Sequence, residues 1–278
     1  AMLYQSFVSE MRKRNSIAFE ANCRILVFDF NGEYSGNDCI TNHKHTYTLS
    51  TRTIYGDKLP LSDTGLLDIE MLSILADATE KTQKPFLKRA LKQQKRVNAG
   101  ANPLEHTRNI IRTQVSKVLQ MSDKIRADLL LDYLRQVLPE EDAEGEPIEI
   151  AEDLDWNNTH KEFRIVGGAF LKSNPEQIPN TNVYQLVSNF SFHGDIVSDF
   201  ITYCYIQLIY DVLSNRAQND HIAPVINKLR GKQDDIRKLF ETVDGGELFA
   251  SNVVVVDLHD VNLEMKKTIP LLLCRKVY

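Results

Sequence analysis

No two of the four cysteines, Cys23, Cys39, Cys204 and Cys274, stand close enough for a C-x-x-C pair, so the sequence offers neither a zinc ribbon nor a disulfide framework. They read as core thiols. No run of 18 or more apolar residues occurs, and the first residues do not follow the basic-then-apolar order of a secretory signal, so a cytoplasmic protein without a membrane partner is expected. There is no G-x-x-x-x-G-K-[ST]: the one Gly-Lys pair, Gly231-Lys232, is followed by Gln233. The two glycines of "RIVGGAF" do not extend to G-x-G-x-x-G, so a dinucleotide site is unsupported. Without a G-x-S-x-G turn or a Ser-His-Asp order, a serine hydrolase is equally unsupported.

What is present is enough to fold. The 278 residues, 42% of them hydrophobic, suffice for one large domain or two ordinary ones. Ala1 ahead of Met2 reads as a cloning scar. The formal charge of -5 argues against a generally basic nucleic-acid coat, but the charges are locally segregated. "PEEDAEGEPIEIAEDLD", Pro139 to Asp155, carries nine acids and no base, with two prolines and a glycine, and is expected to be a solvated linker. In "KPFLKRALKQQKR", Lys84, Lys88, Lys92 and Lys95 or Arg96 form one helical stripe while Leu87, Ala90 and Leu91 face elsewhere. Such a stripe suits a phosphate backbone, or it is a solvated face opposing the acidic segment.

The apolar periodicity predicts the elements. Leu3, Phe7 and Met11 mark a helix over 2–14 with basic residues at its end, followed by a short polar loop and strands at 24–30 and near 45–52. From Leu59 the pattern turns helical, with Leu66, Ile69, Leu72 and Leu75 in one stripe and Thr79 or Thr82 as cap of the next helix; a further helix or helical pair spans about 104–138. "EFRIVGG" and "NVYQLVSNF" read as short strands, and "IVSDFITYCYIQLIYDVLSNR" as a buried helix. The chain closes with a strand, "NVVVVDLHD", and a helix, "NLEMKKTIPLLLCRKVY".

Two segments, "ILVFDF" and "NVVVVDL", are apolar runs with an acid at the carboxyl end, as in strands buried on both faces of a parallel sheet. Ligands of doubly wound α/β folds bind at that end, where Asp29, Glu33 and Asp257 would lie. The alternative is that each aspartate caps the turn or helix after it. His43 and His45 alternate like same-face neighbours of a strand, but no Cys, Asp or Glu is spaced to complete a metal site.

"RILVFDFNGEYSG" resembles the D-P-H-G-E-Y segment of HerA-type ATPases, the DNA-translocating branch related to FtsK. "LPLSDTGLLDIEMLSILADATEKTQKPFLKRAL" is similar to the family's following segment, and "VVVVDLHDVNLEMKKTIPLLLCRKVY" to its strand ending in D-L-S with the helix after it. The three cover roughly a third of the chain in the family's order, Phe30 and Asn31 replacing the usual Pro-His. The resemblance implies an α/β fold, a partial RecA-like P-loop NTPase sheet with a large helical insertion. Its expected division is 1–63 core, 64–138 helical insertion, 139–155 acidic linker and 156–278 a second α/β part returning to the core.

The family's phosphate loop precedes a helix like the first one here, and its Walker B strand follows a helix like the last. The chain is therefore expected to begin just after one nucleotide motif and to end just before the next. Alternatively "VVVVDLHD" is itself the Walker B strand, although Leu258 stands where the water-orienting acid belongs. The resemblance further implies ATP and Mg2+ as cofactors of the parent protein. It also implies a homohexameric ring on double-stranded DNA and a nuclease or phage-defence effector as partner. Glu33 and Asp29 are then candidates for the edge of the catalytic site, Asp257 a third, and Lys84, Lys88, Lys92 and Lys95 for DNA contact. The chain alone is expected not to hydrolyse ATP. The competing expectation is a non-catalytic assembly module.

Overall fold

In the computed structural model, residues 2–141, 145–243, 245 and 247–277 are described; Ala1, part of the expected acidic linker and Tyr278 lie outside them. α1 (Met2–Arg14) buries Val8, while Leu3, Phe7 and Met11 of its apolar stripe are exposed. The segment expected as a polar loop is instead a second helix, α2 (Ser16–Asn22). Its start is fixed by Asn15, whose side-chain oxygen accepts from Ala18 N at 2.9 Å, and Phe19 anchors it in the core. β1 (Ile25–Asp29) and β2 (His45–Ser50) fall where alternation and apolar runs place them. β3 (Leu59–Leu61), α3 (Asp63–Leu66) and α4 (Ile69–Leu75) follow, the last capped by Asp68, which accepts from Glu70 N and Met71 N.

α5 (Gln83–Asn98), α6 (Pro103–Leu119) and α7 (Lys124–Arg135) are amphipathic. Thr82 stands at the N-cap of α5 without a side-chain cap bond; Gln83 reaches back instead, its Oε1 accepting from Thr79 N at 3.0 Å. β4 (Leu154–Asn157) and β5 (Glu162–Ile165) form an antiparallel pair, so the acidic segment runs into a strand at its end. "NVYQLVSNF" is not a strand but α8 (Asn182–Gln185) with a 3-10 turn after it. Val183, Leu186, Val187 and Phe190, all buried, are spaced i, i+3, i+4, i+7, and that period is helical.

α9 (Ile196–Leu213) is apolar on almost every side and long enough to cross a membrane by length and composition, but 78% of it is buried in the protein. It is wrapped by α5, α6 and α7. α10 (Asn219–Gly231), α11 (Gln233–Leu239), β6 (Phe240–Thr242), β7 (Val253–Asp260) and α12 (Leu263–Val277) complete the chain. Of the cysteines only Cys204 is fully buried, and Cys274 is exposed, so the expectation of four core thiols is met by one.

β7 lies between β1 and β2 in a three-stranded sheet, parallel to both. Val253 to Val256 are all buried, as a strand covered on both faces requires. A second, two-stranded parallel sheet pairs β3 with β6. By contacts the chain divides into Ala1–Asp77 with Gly231–Tyr278, and Ala78–Arg230. These boundaries are not those expected at 63, 138 and 155: α4 packs on α12 in the first unit, and α8 and α9 pack on α6 in the second. The class is α/β, a partial P-loop NTPase-like parallel sheet with a large helical insertion.

Candidate functional site

β1 and β7 pair in register from Ile25 opposite Val253 to Asp29 opposite Asp257, which brings both acids to the carboxyl edge of the sheet. Beyond Asp29 the chain turns at Gly32, whose φ of +77° is the left-handed conformation that glycine adopts without a Cβ penalty. The turn closes on the Asp29 carboxylate. Oδ1 accepts from Gly32 N at 2.9 Å, Glu33 N at 3.0 Å and Asn31 N at 3.3 Å, and Oδ2 accepts from Tyr34 N at 2.7 Å. A carboxylate so engaged and only 1% exposed organises the loop.

Asp257 is less occupied. Its Oδ1 accepts from His259 N at 2.9 Å and its Oδ2 from the Ser35 hydroxyl at 2.6 Å, and that hydroxyl also lies 3.3 Å from Asp29 Oδ2. One serine thus ties the two strand ends together. Glu33 sits on the loop, exposed, with its Oε1 3.5 Å from Asn31 Nδ2. Its carboxylate is the one of the three that is open to solvent.

Two lysines fix the loop from outside. Lys44 donates to the carbonyls of Tyr34 and Gly36 at 2.5 Å and Cys39 at 2.8 Å, and burial holds its ammonium below the usual lysine range. Lys266 of α12 donates to Phe30 O at 3.3 Å and His259 O at 3.0 Å. Neither Ser35 nor the two lysines was marked by the sequence. Their partners are backbone oxygens and a carboxylate on another strand, which no local spacing encodes.

No group of three His, Cys, Asp or Glu side chains is gathered among the described residues. His43 lies outside β2 and His45 within it, His45 packing edge-on to Tyr47.

The basic stripe belongs to the second unit. Lys88, Lys92 and Lys95 are exposed and without an ion-pair partner among the described residues, whereas Lys84 is half-buried and paired with Glu80 at 3.0 Å. Arg89, on the same helix, donates to the fully buried Asp211 of α9 at 2.7 Å and 3.2 Å. The stripe is therefore three free lysines with one tied end.

No curated protein matches the chain. Residues 7–190 match the family model described as "Helicase HerA, central domain", a span that takes in the loop at Asp29, the basic helix α5 and most of the helical unit. The chain belongs to the HerA central-domain family, a family of ATPases.

Proposed function

We propose that the chain is part of an ATP-driven translocase that works in the cytoplasm as a homohexameric ring on double-stranded DNA, beside a nuclease or defence effector. The observation that carries this reading is the pair Asp29 and Asp257 at the carboxyl edge of a parallel sheet, with the family's D-x-x-G-E-Y loop folded on the first of them. ATP and Mg2+ are the expected cofactors of the complete protein, and a G-x-x-x-x-G-K-[ST] segment not contained in this sequence is required to hold the phosphates. Alone, this chain is expected to be inactive towards ATP. Within it Asp29 shapes the loop, Glu33 offers the solvent-facing carboxylate, and Asp257 keeps acceptor capacity between them. Lys88, Lys92 and Lys95 are the cations available to a phosphate backbone.

A second reading, a non-catalytic assembly module, is favoured by α1, where Leu3 is 79% and Phe7 56% exposed on one helical face. One experiment separates the two. ATP hydrolysis is measured with and without duplex DNA, on this chain and on the chain extended through its natural reading frame. Activity confined to the extended protein, stimulated by DNA and lost in Glu33→Gln, is the expected result. An extended protein that is also inactive, or a frame holding no phosphate loop, overturns the ATPase reading.

A further inference from the structure

A cleft of about 620 Å3 opens between α5, α6 and α9, wholly within the second unit. Five cations stand in its wall: Arg89, Lys92 and Arg96 from α5, Lys117 from α6 and Arg216 just beyond α9, Arg89 being paired with the buried Asp211. The other four are exposed, and among the described residues none of them has an acidic partner and no Asp or Glu lines the cleft. Four like charges around one concavity repel one another and focus a positive potential into it, which an anion relieves. The volume falls within the roughly 300–1,000 Å3 of small-molecule sites.

The rest of the wall is not that of a simple anion hole. Ile110 and Leu213 supply apolar surface, and the Tyr210 ring, 39% exposed, has the Arg216 guanidinium 5.3 Å over its centroid. Behind them Gln114 is 3% exposed and held by its Nε2 donating to Ile206 O at 2.8 Å. Cations for phosphate and an aromatic edge for a planar ring are two separate requirements. A planar ring joined to a phosphate meets both of them.

We infer that this cleft is a binding site for a free nucleoside phosphate, separate from the strand-end acids. Duplex DNA presents its phosphates on a convex surface and meets only the rim of such a cleft, leaving the Tyr210 edge unused.

Equilibrium binding of the full chain is measured by calorimetry with AMP, ribose 5-phosphate, pyrophosphate and a blunt DNA duplex. AMP is expected to bind at least tenfold more tightly than ribose 5-phosphate. Arg96→Glu and Lys117→Glu should each weaken AMP at least tenfold, whereas Lys81→Glu, an exposed cation outside the cleft, shifts it less than twofold. Lys117→Gln serves as the milder variant if charge reversal disturbs folding, and Tyr210→Leu is expected to narrow the gap between AMP and ribose 5-phosphate. Equal affinity for AMP and ribose 5-phosphate, no binding of AMP, or loss only of duplex affinity in the Arg96 and Lys117 variants each overturns the assignment. None of these results depends on ATP hydrolysis, so the translocase reading stands or falls separately.

Discussion

Ser35 donates its hydroxyl to Asp257 at 2.6 Å across 222 residues of sequence, and the same oxygen rests 3.3 Å from Asp29. The two acids are unlike each other despite their matched register. Asp29 is spent on four backbone amides, and Asp257 on one amide and one hydroxyl.

The two acids should therefore answer differently to neutralisation. Asp29→Asn replaces an acceptor-only carboxylate with one oxygen and an amide donor that faces backbone N–H groups, and hydrogen bonds to a charged group are worth about 1.5–3 kcal/mol each. A loss of about 2–4 kcal/mol in urea unfolding is expected, against about 1 kcal/mol for Asp257→Asn. The reverse order would mean that the loop is held by something other than Asp29.

In the second unit, Asp211 is fully buried and answered by Arg89 and by Gln207 Nε2 at 2.8 Å. Removing one partner leaves a buried charge without its counterion, so Arg89→Leu should cost about 3 kcal/mol, the low end of the usual range because Arg89 itself reaches solvent. The double variant Arg89→Leu, Asp211→Leu is expected to recover at least half of that. A double variant no more stable than the single one would refute the pairing as the cause.

Gly56 lies against the free edge of β2. A Cβ there would stand 2.9 Å from Ser50 N and 3.1 Å from Thr48 O, both backbone atoms that cannot swing aside. Asp57 completes the same contact, donating its N–H to Thr48 O at 2.8 Å and accepting Thr48 N at 2.7 Å on its side chain. Gly56→Ala should therefore lower stability by about 1–3 kcal/mol and raise hydrogen exchange at Thr48. Unchanged exchange there would show that the edge is not protected by this segment.

Asp199, in the first turn of α9, is held above its ordinary 3.8 by burial, against the opposing hydrogen bonds from His193 N and Gly194 N. A carboxyl whose folded pKa is raised binds more protons folded than unfolded between the two values, so its stability contribution falls as pH rises through that window. Asp199→Asn should then be more favourable, relative to the parent, at pH 7 than at pH 3.5. Thermal unfolding at the two pH values measures this, and a pH-independent difference would contradict it.

How far the sequence speaks depends on whether a signal is local. The valine run of β7 and the apolar face of α9 predict a central strand and a buried helix because burial on all sides leaves no polar phase in the sequence. β3 and β6 are three residues each and pair across most of the chain, so neither carries a period to detect. α8 was legible in the i, i+3, i+4, i+7 spacing of Val183, Leu186, Val187 and Phe190, but its brevity and β-branched residues point the other way. Of the site, Asp29 and Asp257 stand out as acids ending apolar runs. Ser35 and Lys44 do not, because their meaning depends on which oxygens the fold brings to them.

The position of β7 between β1 and β2 also sets an order of events on the ribosome. The two outer strands leave the exit tunnel early, yet neither pairs with the other, and the strand that joins them is made about two hundred residues later, after the whole helical unit. For that interval Ile25–Asp29 and His45–Ser50 present open edges. A nascent chain stalled before Val253 is a natural client for a chaperone.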